Sequence, residues 1–130
     1  MAWADEVRVF LAAAAGDAAL SCALCALRKV ENGRAGRELG VLSVSAPTLR
    51  DQARVAARSF RNHEKRVAPL VPRDPATGFY TPAFLASFSA RWAPRGADND
   101  PQDLNSHHAR NLVTRYAAFT RAVLDALTRA

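Results

Sequence analysis

The stretch from residue 18 to residue 31 constrains the fold of this chain more than any other. Leu20, Leu24 and Leu27 recur at the i, i+4, i+7 spacing of one helical face, with alanines and cysteines between them. The next position on that face, at i+11, is not apolar: it is Glu31, followed by Asn32-Gly33, where the helix has to stop. A carboxyl group in that place is partly desolvated by the stripe it continues, and it lies in the last turn, near the negative end of the helix dipole. Both effects disfavour the anion and favour the protonated acid, the form that a general acid needs.

The remaining sequence reads as further helices. Residues 3–14 form one, with Val7, Phe10, Leu11 and Ala14 on a face. Gly16-Asp17 breaks it, and Asp17 is placed to cap the helix of about 18–31, with Gly33 as its C′ residue. Residues 38–45 are β-prone but short, which predicts a small hairpin or an extended turn. Pro47-Thr48 opens a third helix of about 48–67. Its inner face carries Ala53, Ala56, Ala57, Phe60 and Val67, and another face carries Arg54, Arg58, Arg61 and Lys65. A proline-rich loop runs from Pro69 to Pro75 and closes at Gly78. Thr81-Pro82 reads as N-cap and N1 of a fourth helix bearing Phe84, Leu85, Phe88 and Trp92. After a second loop, 94–101, Asn105 or Ser106 caps a last helix whose inner stripe is Leu112, Tyr116, Phe119, Val123 and Leu127. The expected fold is mainly α: a single domain over residues 1–130, a bundle of about five helices with one short hairpin or turn.

Composition narrows the partners without choosing among them. With 49% hydrophobic and 23% charged residues the chain fits a soluble globular protein, and no apolar run reaches the roughly 18–20 residues of a membrane span. The beginning, Met1-Ala-Trp-Ala-Asp5-Glu6, is acidic where a signal peptide is basic, so no export signal is read there. A net charge of +6 and a pI near 10.3 draw the chain to anionic polymers: nucleic acid, acidic lipid or bacterial wall. Cys22 and Cys25 form a Cys-x-x-Cys in mid-helix with no second pair, which reads as two buried structural thiols rather than a zinc or redox site. His107 and His108 point about 100° apart on a helix, so they do not readily chelate one ion together. They are read as polar residues of a helix start, and no metal or cofactor is assigned.

The block Leu27-Arg-Lys-Val30-Glu31-Asn32-Gly33, then Gly36-Arg-Glu-Leu-Gly40-Val41-Leu42-Ser43-Val44, then Pro47-Thr48, resembles the lysozyme-like superfamily, in its goose-type lysozyme and lytic transglycosylase branch. Members show Ile/Val-x-x-Glu-Ser/Asn-Gly at a helix end, a turn, Gly-x-x-Gly-Leu/Val-x-Gln/Ser, and another helix. Arg91-Trp92-Ala93-Pro94 with Asn99-Asp100-Pro101, and a final helix with Asn111 and Tyr116, resembles the ending of phage-type cell-wall lysis domains. The turn after Glu31 is shorter than usual, Ser43 stands where many members carry glutamine, and the transglycosylase Tyr-Asn pair is absent.

The resemblance implies a peptidoglycan-cleaving glycosidase, muramidase or lytic transglycosylase, with Glu31 as general acid and glycan strands as partner. It implies neither nucleic acid nor membrane as partner, and a monomer made in the bacterial cytoplasm, released or carried by a virion to the wall. Ser43 and Gln52 are then candidate donors to acetamido groups, Asn62 a cleft contact, Tyr80 a stacking face and Tyr116 a hydroxyl within reach of the glutamate. Phe79, Trp92, Gly36 and Gly40 are lesser candidates for the groove. A second carboxylate is sought among Glu38, Asp51, Asp98 and Asp100. Two other readings stand beside this one: a basic helical nucleic-acid-binding or adaptor protein, and an inactive lysozyme-fold component of a phage particle or secretion machine.

Overall fold

The computed structural model describes residues 2–42, 44–94 and 104–129. They form five α-helices: α1 (Trp3–Ala13), α2 (Ala18–Glu31), α3 (Leu49–Val67), α4 (Pro82–Trp92) and α5 (His108–Arg129). The N-caps follow the sequence. The Asp17 side chain accepts from the Leu20 amide, Thr48 from Asp51 and Thr81 from Phe84, each satisfying one of the orphan donors of a first turn.

α2 is the central element. Every residue from Ala19 to Leu27 is buried, and α1, α3 and α5 all pack on it. α4 closes the other side by packing on α3 and α5. Aromatic rings fill the space between α3, α4 and the approach to α4. Phe60 stacks on Phe88 with ring centroids 3.7 Å apart, and Tyr80 stacks on Phe84 at 4.3 Å. Cys22 and Cys25 are free thiols inside this core, and burial pushes them up to about 11 and about 12. They act as small apolar groups.

Three details differ from expectation, and at 38–45 the structure takes one of the two expected alternatives. The left-handed residue that ends α2 is Asn32, at φ 46°, and not Gly33. Gly33 is needed for space instead, because a Cβ there would collide with the Arg37 carbonyl. No strand forms among the described residues, so 38–45 takes the turn alternative, with Ser43 outside the described residues. The last helix is entered through a 3-10 turn, Leu104–His107, and α5 proper starts at His108, beyond the proposed caps Asn105 and Ser106. Finally, Leu127 is 68% exposed, since α5 runs past the end of its neighbours.

The 68–81 connection is tied down by one side chain. Arg73 donates to Asp17 at the start of α2 (Nη2 to Oδ2, 2.8 Å) and to Glu64 on α3 (Nε to Oε2, 2.8 Å), while its guanidinium lies 4.8 Å over the Tyr80 ring. Arg73 hydrogen bonds hold the Glu64 carboxyl below its ordinary value. Burial works to raise Asp17, but the bonds from Arg73 and the Leu20 amide outweigh it and leave it lowered. A depressed acid in the folded state contributes stability that is complete above the ordinary carboxyl range and lost as pH falls through the depressed values. All three groups keep about a third of their exposure, so solvent screens part of the effect. Arg73→Met is expected to cost about 1.5 kcal/mol at pH 7, a fall of ~6 °C in melting temperature. The gap between wild type and variant should close towards pH 3; calorimetry across pH checks both.

Candidate acid–base site

Three apolar stripes each end in a polar residue, and the three polar residues meet. On α2 the stripe Leu20, Leu24, Leu27 continues to Glu31. On α4, Leu85 is followed one turn later by Ser89. On α5, Tyr116 and Leu112 are preceded one turn earlier by His108. The His108 Nε2 lies 2.8 Å from Glu31 Oε2, and its Nδ1 lies 2.6 Å from the Ser89 hydroxyl. Side-chain exposure is 6% for His108 and 22% for Glu31, and Ser89 is 2% exposed as a residue. Solvent therefore meets this relay at its carboxyl end only.

That direction decides what the relay can do. A Ser-His-Glu chain suggests nucleophilic catalysis, but a nucleophile has to touch its substrate and Ser89 is sealed in the core. The group placed to react is Glu31. The hydrogen bonds are consistent with Ser89 Oγ–H donating to Nδ1 and Nε2–H donating to Glu31 Oε2, a proton assignment that follows from the network. Oε2 is then an acceptor in both protonation states, so a proton carried by the acid sits on Oε1. Oε1 faces Gly40, which has φ +78°, and a Cβ at that position would collide with the carboxyl oxygen. Gly40 thus serves the carboxylate directly.

The loop that brings Gly40 there is fixed by Gln52. This side chain has no exposed surface. Its Oε1 accepts from the Leu39 and Val41 amides, and its Nε2 donates to the Gly36 and Ala46 carbonyls at 2.9 and 2.7 Å. Every donor and acceptor of the amide is spent on the protein's own loop. Gln52 is therefore not a substrate contact, and its reading as an acetamido donor is corrected.

Two further substrate candidates are corrected in the same way. Tyr80 is 4% exposed, stacked in the core, with its hydroxyl 3.1 Å from Glu64 Oε1, and offers no face to a sugar. Tyr116 donates to the Ala19 carbonyl and accepts from the Tyr80 amide. Ala19 stands twelve residues before Glu31 on α2, about 18 Å along the axis, so the hydroxyl serves the opposite end of the helix. Asn62 is exposed and shares a cavity of about 210 Å³ with His63, Arg66, Arg91 and Trp92, which Glu31 does not line. Ser43, Asp98 and Asp100 lie outside the described residues. Glu38 accepts from the Gly36 amide and Asp51 bonds to Thr48, so each has an ordinary structural task.

Sequence reasoning missed His108 and Ser89. The signal available was the one that singled out Glu31, a polar residue standing next in line on an apolar stripe. Neighbouring stretches of chain form two concave surfaces, and Glu31 lines neither of them. One, of about 420 Å³, is lined by Lys29, Val30, Asn111, Thr114, Arg115 and Ala118, and the other, of about 670 Å³, by residues 34–37, Leu42 and residues 44–47. Among the described residues no group of three metal-ligating side chains comes together. No family model, curated protein or solved structure matches the chain.

Gln52→Leu keeps the volume but removes the side-chain partner of the Leu39 and Val41 amides and of the Gly36, Val41 and Ala46 carbonyls. We expect a loss of about 4 kcal/mol. Where the variant still folds, hydrogen exchange at the Leu39 and Val41 amides should rise ahead of the α2 core, and equal protection of these amides in both proteins would contradict the clamp.

Proposed function

We propose that the protein is a peptidoglycan-cleaving glycosidase in which Glu31 is the general acid. The observation that carries this reading is the hydrogen bond from Glu31 Oε2 to the buried His108, backed by Ser89, which leaves one carboxyl oxygen to bear and release a proton. It is joined by the resemblance of the Glu31 to Val44 block to the lysozyme and lytic transglycosylase branch.

Cleavage begins with proton transfer from Glu31 Oε1 to the glycosidic oxygen as the C1–O bond breaks. The resulting carboxylate keeps its bond from Nε2–H, so the site needs no rearrangement to act next as base. It then takes a proton from the oxygen that attacks C1, either a water or the sugar's own 6-hydroxyl. Retaining and inverting enzymes commonly use a second carboxylate. Of the candidates among the described residues, Glu38 and Asp51 are both engaged elsewhere, which supports a route in which the substrate's N-acetyl group assists and one glutamate serves as acid and then base.

The test is clearance of a purified peptidoglycan suspension. Glu31→Gln preserves shape and hydrogen bonding and is expected to lower the rate at least 100-fold. If wild type and Glu31→Gln clear the suspension equally, or if neither does, the reading fails. His108→Gln should cost less, about tenfold, and should alter the pH profile of the rate, because the oxygen that carries the proton is no longer fixed. An unchanged profile would reduce His108 to a packing residue. Mass spectrometry of the released fragments separates anhydro-forming from hydrolytic cleavage.

A further inference from the structure

A groove of about 890 Å³ runs between α1 and α3, and Arg8, Arg50, Arg54, Arg58 and Arg61 line it. The four arginines of α3 stand at i, i+4, i+8 and i+11, so successive guanidinium groups start about 4–6 Å apart along an axis of about 16 Å. Arg8 is paired with Asp5, and Arg61 is held across the groove by donating to the Ala13 carbonyl. Arg50, Arg54 and Arg58 are exposed and have no acidic partner among the described residues. No acid lines the groove. A row of like charges held this close is electrostatically unfavourable until an anion enters it.

The lining of the groove restricts which anion it takes. Its floor is Val9, Ala12 and Ala13, with no aromatic side chain in the lining. Single-stranded nucleic acid is gripped by stacking its bases on aromatic rings, and ring-bearing acidic sugars use the same kind of platform. An apolar floor beneath a row of guanidinium groups matches a chain in which short aliphatic units alternate with phosphates, since guanidinium binds phosphate oxygens in pairs. We propose that this groove binds a polyol-phosphate polymer of the cell envelope, in which phosphodiesters are joined by short carbon units. The proposal goes beyond the glycosidase reading, on which its placement in the cell envelope rests, and uses no property of Glu31.

Fluorescence anisotropy of the full chain with labelled poly(glycerol phosphate) of about 20 repeats tests it, beside a polyuronate and a single-stranded DNA of equal charge. The glycerol phosphate polymer should bind at least tenfold more tightly than either comparison polymer. Its affinity should fall with salt at a logarithmic slope of about 3, as for four phosphates on a single strand. The pair Arg54→Ala/Arg58→Ala should weaken binding at least tenfold and reduce the slope by about 1.4. Arg50→Ala/Arg58→Ala, should the first variant unfold, is expected to do the same. Lys65→Ala, off the groove lining, and Glu31→Gln should leave binding unchanged, which separates this proposal from the catalytic one. Equal or tighter binding of DNA or polyuronate, or full binding by a folded double variant, overturns it.

Discussion

The buried amide of Gln52 ties the irregular part of this protein to its regular part. Five backbone groups between Gly36 and Ala46 end on one side chain, which itself sits on the inward face of α3 beside Ala53 and Ala56. An irregular loop cannot pair its amides and carbonyls internally as a helix does, and leaving them buried and unpaired is costly. The amide resolves this with two acceptor and two donor positions matched to the loop. The consequence reaches the site, because the loop so fixed presents Gly40 to the Glu31 carboxyl. The setting of the Glu31 carboxyl thus depends on a residue that is wholly buried.

The polar chain from Ser89 through His108 to Glu31 follows a similar logic. Its inner members are enclosed by core, and each hydrogen bond that a buried imidazole requires is met within the chain. The network costs little because α4 and α5 deliver the two inner groups as extensions of apolar stripes already packed against each other. Exposure rises along the relay, from the serine to the carboxyl, so whatever changes protonation does so at the outer end. This is why the geometry favours acid–base work by the glutamate over nucleophilic work by the serine.

Much of the fold was legible because local signals carry it. Asp17, Thr48 and Thr81 cap the helices they precede, and the leucine stripe of α2 is buried as its spacing requires. Glu31 was legible as an anomaly on that stripe. Its partners were not, since His108 is 77 residues away and meets it only through the packing of α2 on α5. Gln52, Tyr80 and Tyr116 were misread for a common reason: each is polar, and polar side chains near a suspected cleft invite a substrate role. Their partners are backbone groups and a half-buried carboxylate, which no periodicity marks. The exchange of duties between Asn32 and Gly33 was hidden as well, because both tolerate the left-handed region and only the approach of the Arg37 carbonyl decides between them.

α3 joins the two surfaces to which function is assigned here. Its inner face holds the loop that positions Glu31, and its outer face carries the arginine row. Charges on the outer face are solvated and screened within about 8 Å at physiological ionic strength. If both proposals hold, a polymer engaged along the arginine row would keep the Glu31 carboxyl near the wall between cleavage events, and the gain would come from local concentration rather than from any new contact at the reacting bond. Because the grip is electrostatic it weakens with salt, whereas the Glu31 relay is built from partly and fully buried hydrogen bonds that salt screens far less. Rising ionic strength would therefore weaken the proposed grip on the polymer while leaving the hydrogen bonds of the Glu31 relay in place.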